Sequence, residues 1–299
     1  MMRKRATLFA LLAWLGTVLP SCGTEPDTGY LRLVIETEPT TADPAGSVDY
    51  SSGFVSSLVH ANLVRFTPGG ELVGDLATGW DISADEKEYT FHIGTTQFAC
   101  GRPVTAEDVL YSFRRLLDPV RVSPRWWVLE GIEGAPAFHD GYAMDGLGIS
   151  IPDDSTVVIR LSMPAAHFLS LLAMPAAGIV CRHDEEARGN EYGIRPCGSG
   201  PWSISEWKEG DELILVRNPH LSSDRPAFEG ISIRIIPESM TRIAEFEVGN
   251  LDILEIPRSE LDLWRSAGAP LLSAEELRVV YVGLNNSRPP FSDIRVRRA

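Results

Sequence analysis

The sequence lacks most of the features that mark an enzyme or a nucleic-acid-binding protein. No H-E-x-x-H, G-x-S-x-G or paired metal-ligand cysteine motif occurs, and the 6 histidines are scattered singly. There are 27 basic residues against 41 acidic ones, a net charge of -14, which argues against binding to nucleic acid or anionic lipid. These absences predict a protein without catalytic residues, metal site or cofactor. A secreted hydrolase is the least favoured alternative.

The first 22 residues predict export. A basic segment at residues 3–5 precedes an apolar run at residues 8–18, which is too short to span a bilayer. The run ends in Leu-Pro-Ser-Cys at residues 19–22, similar to a bacterial lipobox, in which the cysteine, here Cys22, is lipidated. Such an anchor would hold an acidic protein at a membrane without a basic patch. Plain secretion, with Cys22 incidental, is the alternative.

Three further cysteines follow. Cys181 and Cys197 bracket a short polar segment and could form a disulfide in an oxidising compartment, which would leave Cys100 free. Three reduced thiols are the alternative.

Residues 101–119 predict a capped amphipathic helix. Thr105 is the expected N-cap and Asp108 its partner in a capping box. Apolar residues then recur at the helical spacing until Pro119 ends the helix. Arg114 and Arg115 are expected on its solvent side.

The remaining pattern alternates strands and helices. Residues 30–35 form a nearly continuous apolar run, typical of a strand in a sheet buried on both faces. Residues 183–186 read as a charged, solvated loop. Further strands are predicted over residues 89–93, 147–151, 156–161, 213–217, 231–236 and 279–285, and helices over 55–62 and 240–248.

Two stretches carry a resemblance to a known family. Residues 58–109 include Leu76-Ala77, Gly79-Trp80, a strand and the Pro-Val-Thr-Ala-Glu-Asp-Val start of the capped helix, in that order. Residues 195–207, RPCGSGPWSISEW, resemble a Gly-Thr-Gly-Pro-Tyr segment at which a chain returns from a second lobe to the first. We call this segment the crossing. Both are similar to the substrate-binding proteins of peptide ABC transporters, bacterial extracellular solute-binding protein family 5. A phosphate-binding loop is excluded at the crossing, because no lysine follows at the right spacing and Pro201 removes a needed amide.

The resemblance implies an α/β fold of the periplasmic-binding-protein-like class II, with a split first lobe and an inserted α+β second domain. It also implies that the third domain is mostly missing, since the sequence ends where that domain would begin. The expected divisions are a signal peptide at 1–22, first-lobe segments at 23–58 and 195–278, the second domain at 59–194 and the start of the third at 279–299.

Site residues follow from the same resemblance. In peptide-binding relatives the segment at Val48, Asp49 and Tyr50 runs along the ligand and offers backbone hydrogen bonds; a plain surface loop is the alternative. An aromatic residue often follows the Ser-Pro at residues 123–124, but Arg125 stands there. Trp126 is a candidate ligand contact, although paired tryptophans more often belong to a core.

The crossing would serve as a hinge. Gly198 and Gly200 are expected to provide unusual backbone angles there, with a second hinge strand near residues 56–59.

The implied function is a monomeric substrate-binding lipoprotein, periplasmic or on the outer face of the cytoplasmic membrane. It would deliver peptides or related small solutes to ABC permease subunits. Nickel, haem, sugar and opine binders share this architecture and stay open, as does a non-functional fragment. Because the groups that hold a peptide's termini lie mainly in the third domain, this chain alone is expected to bind poorly.

Overall fold

A computed structural model describes residues 29–143, 145–221, 227–273 and 282–298. Described residues up to Leu254 form one compact unit and those from Glu255 onward form another. The predicted signal peptide and Cys22 lie outside the described residues. So do residues 279–281 of the last predicted strand, while residues 282–285 are not in a strand. Within the described ranges, no helix has the length and apolar character needed to cross a membrane.

The elements follow the predicted alternation. The strands are β1 (Tyr30–Ile35), β2 (Val64–Phe66), β3 (Leu72–Gly74), β4 (Ala77–Ile82), β5 (Glu88–Ile93), β6 (Ile149–Asp153), β7 (Thr156–Arg160), β8 (Trp202–Lys208), β9 (Glu212–Arg217) and β10 (Gly230–Ile235). The helices are α1 (Tyr50–Val59), α2 (Ala106–Leu117), α3 (Ala135–His139), α4 (Phe168–Leu172), α5 (Arg182–Arg188), α6 (Ser239–Glu247), α7 (Leu261–Ser266) and α8 (Ile294–Arg298).

Two larger sheets organise the first unit. One has the order β1-β10-β9-β8, with β1 parallel to β10 and the other pairs antiparallel. The second has the order β4-β5-β7-β6 and is antiparallel throughout. Strands β2 and β3 pair as a separate hairpin. The first sheet is therefore built from both ends of the unit, and the second from its middle.

The sheet containing β1 is buried on one face only within this unit. Its apolar face, which includes Leu213 and Ile233, forms a core with Val55 and Val59 of α1. The opposite face carries polar side chains such as Arg32 and lines an open groove. The prediction of two buried faces is therefore wrong here, because Arg32, Ser232 and Arg234 place polar side chains on the open face.

Helix α2 covers the second sheet, as predicted. Val109, Phe113 and Leu116 are almost fully buried and belong to the same core as Phe91 of β5. At its start, the Asp108 carboxylate accepts from the Thr105 amide at 2.9 Å and from its hydroxyl at 3.0 Å. The predicted N-cap thus forms and fixes where the helix begins.

Arg115 of this helix is not on the solvent side. It is 6% exposed, whereas its neighbour Arg114 is exposed. The two terminal nitrogens of Arg115 donate to the two carboxylate oxygens of Asp43, and the distance from Nη1 to Oδ1 is 2.7 Å. Asp43 in turn accepts from the Ala45 amide and caps a short 3₁₀ turn at Pro44–Gly46. The arginine predicted to be solvated therefore holds the segment that leads to residue 48.

A second carboxylate completes this buried network. Glu185 is 1% exposed and lies 3.4 Å from Nε of Arg115. It also accepts from Arg121 at 2.8 Å and from the hydroxyl of Tyr111. Residues 183–186, expected to form a charged, solvated loop, instead belong to α5. Glu185 is buried and lies within ion-pair distance of two arginines.

Replacing Arg115 with methionine should destabilise the protein by about 3–5 kcal/mol, because the buried Asp43 carboxylate would lose its partner. Arg114→Met removes the same charge from the exposed side of the same helix and should change the free energy of unfolding by less than about 0.5 kcal/mol. Chemical denaturation of both variants measures the difference. Adding Asp43→Asn to Arg115→Met should restore much of the loss, and equal effects of the two single variants would contradict the buried pair.

Candidate functional site

An open groove runs beside the start of α1. It has a volume of about 390 Å³ and is lined by residues from three parts of the chain: Ser47, Val48, Asp49, Tyr50, Gly53, Phe54, Ser57, Arg125, Met174, Pro175 and Ala176. Val48 is 43% exposed and Tyr50 is 72% exposed. The structure therefore brings the predicted segment 48–50 to the wall of a groove, and adds to it Arg125 and the turn after α4.

Asp49 has a structural role in this wall. Its carboxylate accepts from the Ser52 amide at 2.8 Å, from the Ser52 hydroxyl at 2.6 Å and from the Thr40 hydroxyl at 3.1 Å. Partial burial opposes the charge, but these hydrogen bonds outweigh it and lower the pKa of Asp49. Because Asp49 caps the helix, α1 begins at Tyr50, and residues 50–54 are helical instead of forming a loop before residue 55.

Arg125 anchors the segment from the other side of the groove. Its Nη2 donates to the carbonyl oxygen of Val48 at 2.6 Å, and the neighbouring Ser123 hydroxyl donates to the carbonyl oxygen of Ala45 at 2.6 Å. The amide of Val48 donates to no group among the residues that the structure describes. Val48 therefore lines the groove, its carbonyl bound by Arg125 and its amide without a partner among the described residues.

Trp126 lies outside this groove. Its ring stacks on that of His139, with centroids 4.2 Å apart and planes inclined by 10°, and it packs against the core around α2. The residue of this stretch that lines the groove is Arg125, one position earlier, and Trp126 as a ligand contact stays a prediction. The sequence feature that could have identified Arg125 is its place directly after Ser-Pro, where the family often has an aromatic residue.

The crossing at Gly198 and Gly200 packs directly against the end of α1. Gly200 donates to the carbonyl oxygen of Val59 at 2.8 Å, and Gly198 accepts from Ala99 at 2.9 Å. A Cβ on Gly198 would lie 1.9 Å from the Val59 oxygen, and one on Gly200 would lie 2.7 Å from it. Neither glycine has a positive φ. The prediction that these glycines provide unusual backbone angles is therefore wrong. They are required because the crossing approaches the backbone of α1 too closely for a side chain.

The other expected hinge strand is helical. Residues 56–59 belong to α1, which ends against the crossing. A hinge role for Gly198 and Gly200 stays a prediction.

His60 follows directly after α1 and is buried. One ring nitrogen lies 3.0 Å from the Tyr192 hydroxyl and the other 3.3 Å from the Ser56 carbonyl oxygen. Burial is the main cause that lowers the pKa of His60 to about 4, and it outweighs the favourable charge of nearby Asp43. The imidazole is therefore neutral at pH 7 and serves the packing at the base of the crossing.

The cysteines form a separate group. Cys181 and Cys197 are buried thiols that are not bonded to each other, and the exposed Cys100 lies beside them. Their predicted disulfide stays a prediction.

Comparison with known proteins agrees with this architecture. The family model described as bacterial extracellular solute-binding proteins, family 5 Middle, matches residues 71–299. The probable D,D-dipeptide-binding periplasmic protein DdpA of Escherichia coli is 34% identical, over 99% of this chain and 56% of its own length. The chain thus spans about half the length of the relatives it matches.

Solved structures give the same result. The Escherichia coli murein tripeptide binding protein MppA is 30% identical, with a TM-score of 0.75 over 79% of this chain and 48% of that one. Haemophilus influenzae OppA, solved with the peptide RPPGFSPFR, has a TM-score of 0.75 at 23% identity, over 90% of this chain and 55% of that one.

The fold is therefore that of α/β periplasmic binding proteins. The chain belongs to the bacterial extracellular solute-binding proteins of family 5, which bind solutes and are not enzymes.

Substituting Gly198 with alanine should cost about 3 kcal/mol or more, the upper end of the usual range for overpacking, since a backbone carbonyl of α1 cannot swing aside. Gly79→Ala in β4 is a matched control, because a Cβ there meets no atom within 4 Å; it should change the free energy of unfolding by less than about 1 kcal/mol. Equal destabilisation of the two variants would show that the crossing can move away from Val59.

The lowered pKa of His60 predicts that the stability of the protein depends on pH. Above pH 6.5 the imidazole is neutral in both the folded and unfolded states and has no effect. As the pH falls from 6.5 towards 4, the unfolded state binds the proton first, so the free energy of unfolding should fall, by a total on the order of 3 kcal/mol.

Denaturation of wild type and His60→Gln at pH 7 and pH 4.5 tests this. The variant should lose most of the pH-dependent difference attributed to His60. His183→Gln, on the exposed side of α5, should retain the wild-type difference. If His60→Gln retains it too, another group is responsible.

Proposed function

We propose that this protein is the substrate-binding component of an ABC importer, and that it holds peptides in the groove beside residues 48–50. The observation that carries the proposal is the segment from Val48 to Tyr50 that lines the groove, in which the Val48 amide has no partner among the described residues. It occurs in a chain of a solute-binding family, and the relatives described above are named for dipeptides and a murein tripeptide.

Backbone pairing is the recognition mode that fits this wall. A peptide laid along the segment would accept from the Val48 amide, and its own side chains would point away from the strand-like contact. The guanidinium of Arg125 keeps further N–H donors without partners among the described residues, so it could also bind a carbonyl or carboxylate of the peptide. The polar contacts proposed here read the peptide backbone, so the side-chain sequence of the peptide would matter little.

The wider arrangement is proposed on the same basis. We propose that the sheet containing β1 belongs to a split first lobe of a class II binding protein, and that the sheet containing β5 belongs to the inserted second domain. The two separate apolar cores support this division. Gly198 and Gly200 would lie at the passage between the lobes, and ligand binding would shift the population toward a closed state.

Export and anchoring complete the proposal. The protein would be a monomer outside the cytoplasmic membrane, anchored by a lipid on Cys22, and would pass its ligand to permease subunits. Radiolabelled palmitate incorporation in wild type and Cys22→Ser would test the anchor.

Peptide binding should depend on Tyr50 and on the carbonyl oxygens of the peptide. We expect trialanine to slow exchange of the amides at residues 48–50, with Tyr50→Ala weakening its affinity at least tenfold, measured by hydrogen exchange and isothermal titration. Tyr142→Ala removes a comparably exposed tyrosine outside the groove and should bind as wild type does.

A second ligand makes the test specific for backbone pairing. The proposed contacts use the carbonyl oxygens of the peptide as acceptors. Trialanine with thioamides in place of its amides has weaker acceptors and should also bind about tenfold more weakly, a difference of about 1.4 kcal/mol. Because this chain alone is expected to bind weakly, trialanine is titrated to its solubility limit. If exchange at residues 48–50 is still unchanged there, the peptide proposal is wrong. If the thioamide analogue binds as tightly as trialanine, the groove still binds the peptide but recognition through its backbone carbonyls is refuted.

A further inference from the structure

Three cysteines that are distant in sequence meet at one point of the fold. Cys100 lies in the loop between β5 and α2, Cys181 is the N-cap of α5, and Cys197 begins the crossing. Their sulfur atoms all lie within 4.8 Å of one another, and those of Cys100 and Cys181 are 3.9 Å apart. None of the three is in a disulfide.

This spacing is that of ligands sharing one ion. Thiolates bound to zinc lie about 2.3 Å from the metal. Three of them around one ion are then about 4 Å apart in a trigonal plane and about 3.8 Å apart at the corners of a tetrahedron. The sulfurs here need to move by less than 1 Å to reach either geometry.

Other contacts hold the three residues in place. The Cys100 amide donates to the sulfur of Cys197 at 3.1 Å, and the Cys197 amide donates to the Asp184 carboxylate at 2.9 Å. Asp184 is itself paired with Arg188 at 2.8 Å. The cluster is thus built from fixed backbone, with supporting contacts of the kind that orient metal ligands.

Exposure differs among the three in a useful way. Cys181 is 1% exposed and Cys197 is 8% exposed, whereas Cys100 is on the surface. An ion could therefore reach the cluster past Cys100 and then be bound by two shielded sulfurs. A fourth coordination position would face solvent.

We propose that Cys100, Cys181 and Cys197 form a three-thiolate site for one thiophilic closed-shell cation, Zn²⁺ or Cu⁺. Thiolate ligands select these ions over Mg²⁺ or Ca²⁺. Each thiol gives up its proton as it binds, so loading the site releases up to three protons. The bound ion would tie the loop before α2 and the start of α5 to the crossing, independently of which solute occupies the groove.

The predicted disulfide between Cys181 and Cys197 is the competing outcome. It would use two of the same three sulfurs, so a chain that carries it cannot form the site. Intact-mass measurement after alkylation separates the two states, because the disulfide leaves Cys100 as the one alkylated residue of the three.

Metal titration of the reduced, chelator-treated full chain tests the site. Zn²⁺ should bind one per chain, by native mass spectrometry, and Co²⁺ should give a thiolate-to-metal charge-transfer band. Cys100→Ser, Cys181→Ser and Cys197→Ser should each weaken Zn²⁺ binding at least tenfold. Cys22→Ser removes the fourth cysteine and should bind Zn²⁺ as wild type does.

Several results would overturn the site. They are no charge-transfer band in the reduced wild type, a band that survives each of the three serine variants, or a band lost in Cys22→Ser. Purification from exported material with Cys181 linked to Cys197 would also overturn it. The charge-transfer band of the reduced wild type decides the question even if a serine variant does not fold.

Discussion

The paired contact between Arg115 and Asp43 is the constraint on which the groove depends. It joins the helix that covers the second sheet to the segment that enters the first helix. Because both groups are largely shielded from water, losing either one leaves an uncompensated charge, which costs far more than a surface pair. The position of residues 45–50 thus depends on the side chain of Arg115, which does not itself line the groove.

A second constraint acts at the other end of α1. The helix begins at the Asp49 cap and ends at Val59, whose carbonyl meets the crossing so closely that only glycine fits at residue 198. One helix therefore carries the groove wall at its start and the passage between the two sheets at its end. A shift of this helix would move both, and that gives a physical route from the groove to the proposed hinge.

Much of the fold could be predicted from the sequence, because local signals decide it. The capped helix after Thr105 and most strands follow from residue spacing and lie within a few residues of the predicted bounds. Arg115 was expected on the wrong side of its helix, because a charged residue is assigned to solvent unless a buried partner is known, and its partner is 72 residues away. The three cysteines are similarly separated by 81 and 16 residues, so no short motif could reveal their meeting.

The residues that carried the family resemblance turn out to have structural roles in this chain. Thr105 caps a helix, and Gly198 makes room for a carbonyl. The side chains that line the groove are different residues. Val48 and Tyr50 are exposed, and Arg125 stands where the family often has an aromatic residue. A resemblance that rests on residues with structural roles identifies the family and the fold. The identity of the solute depends on the side chains that line the groove. The ligand must therefore be determined by binding measurements on these exposed residues, and a closer match to the scaffold would not supply it.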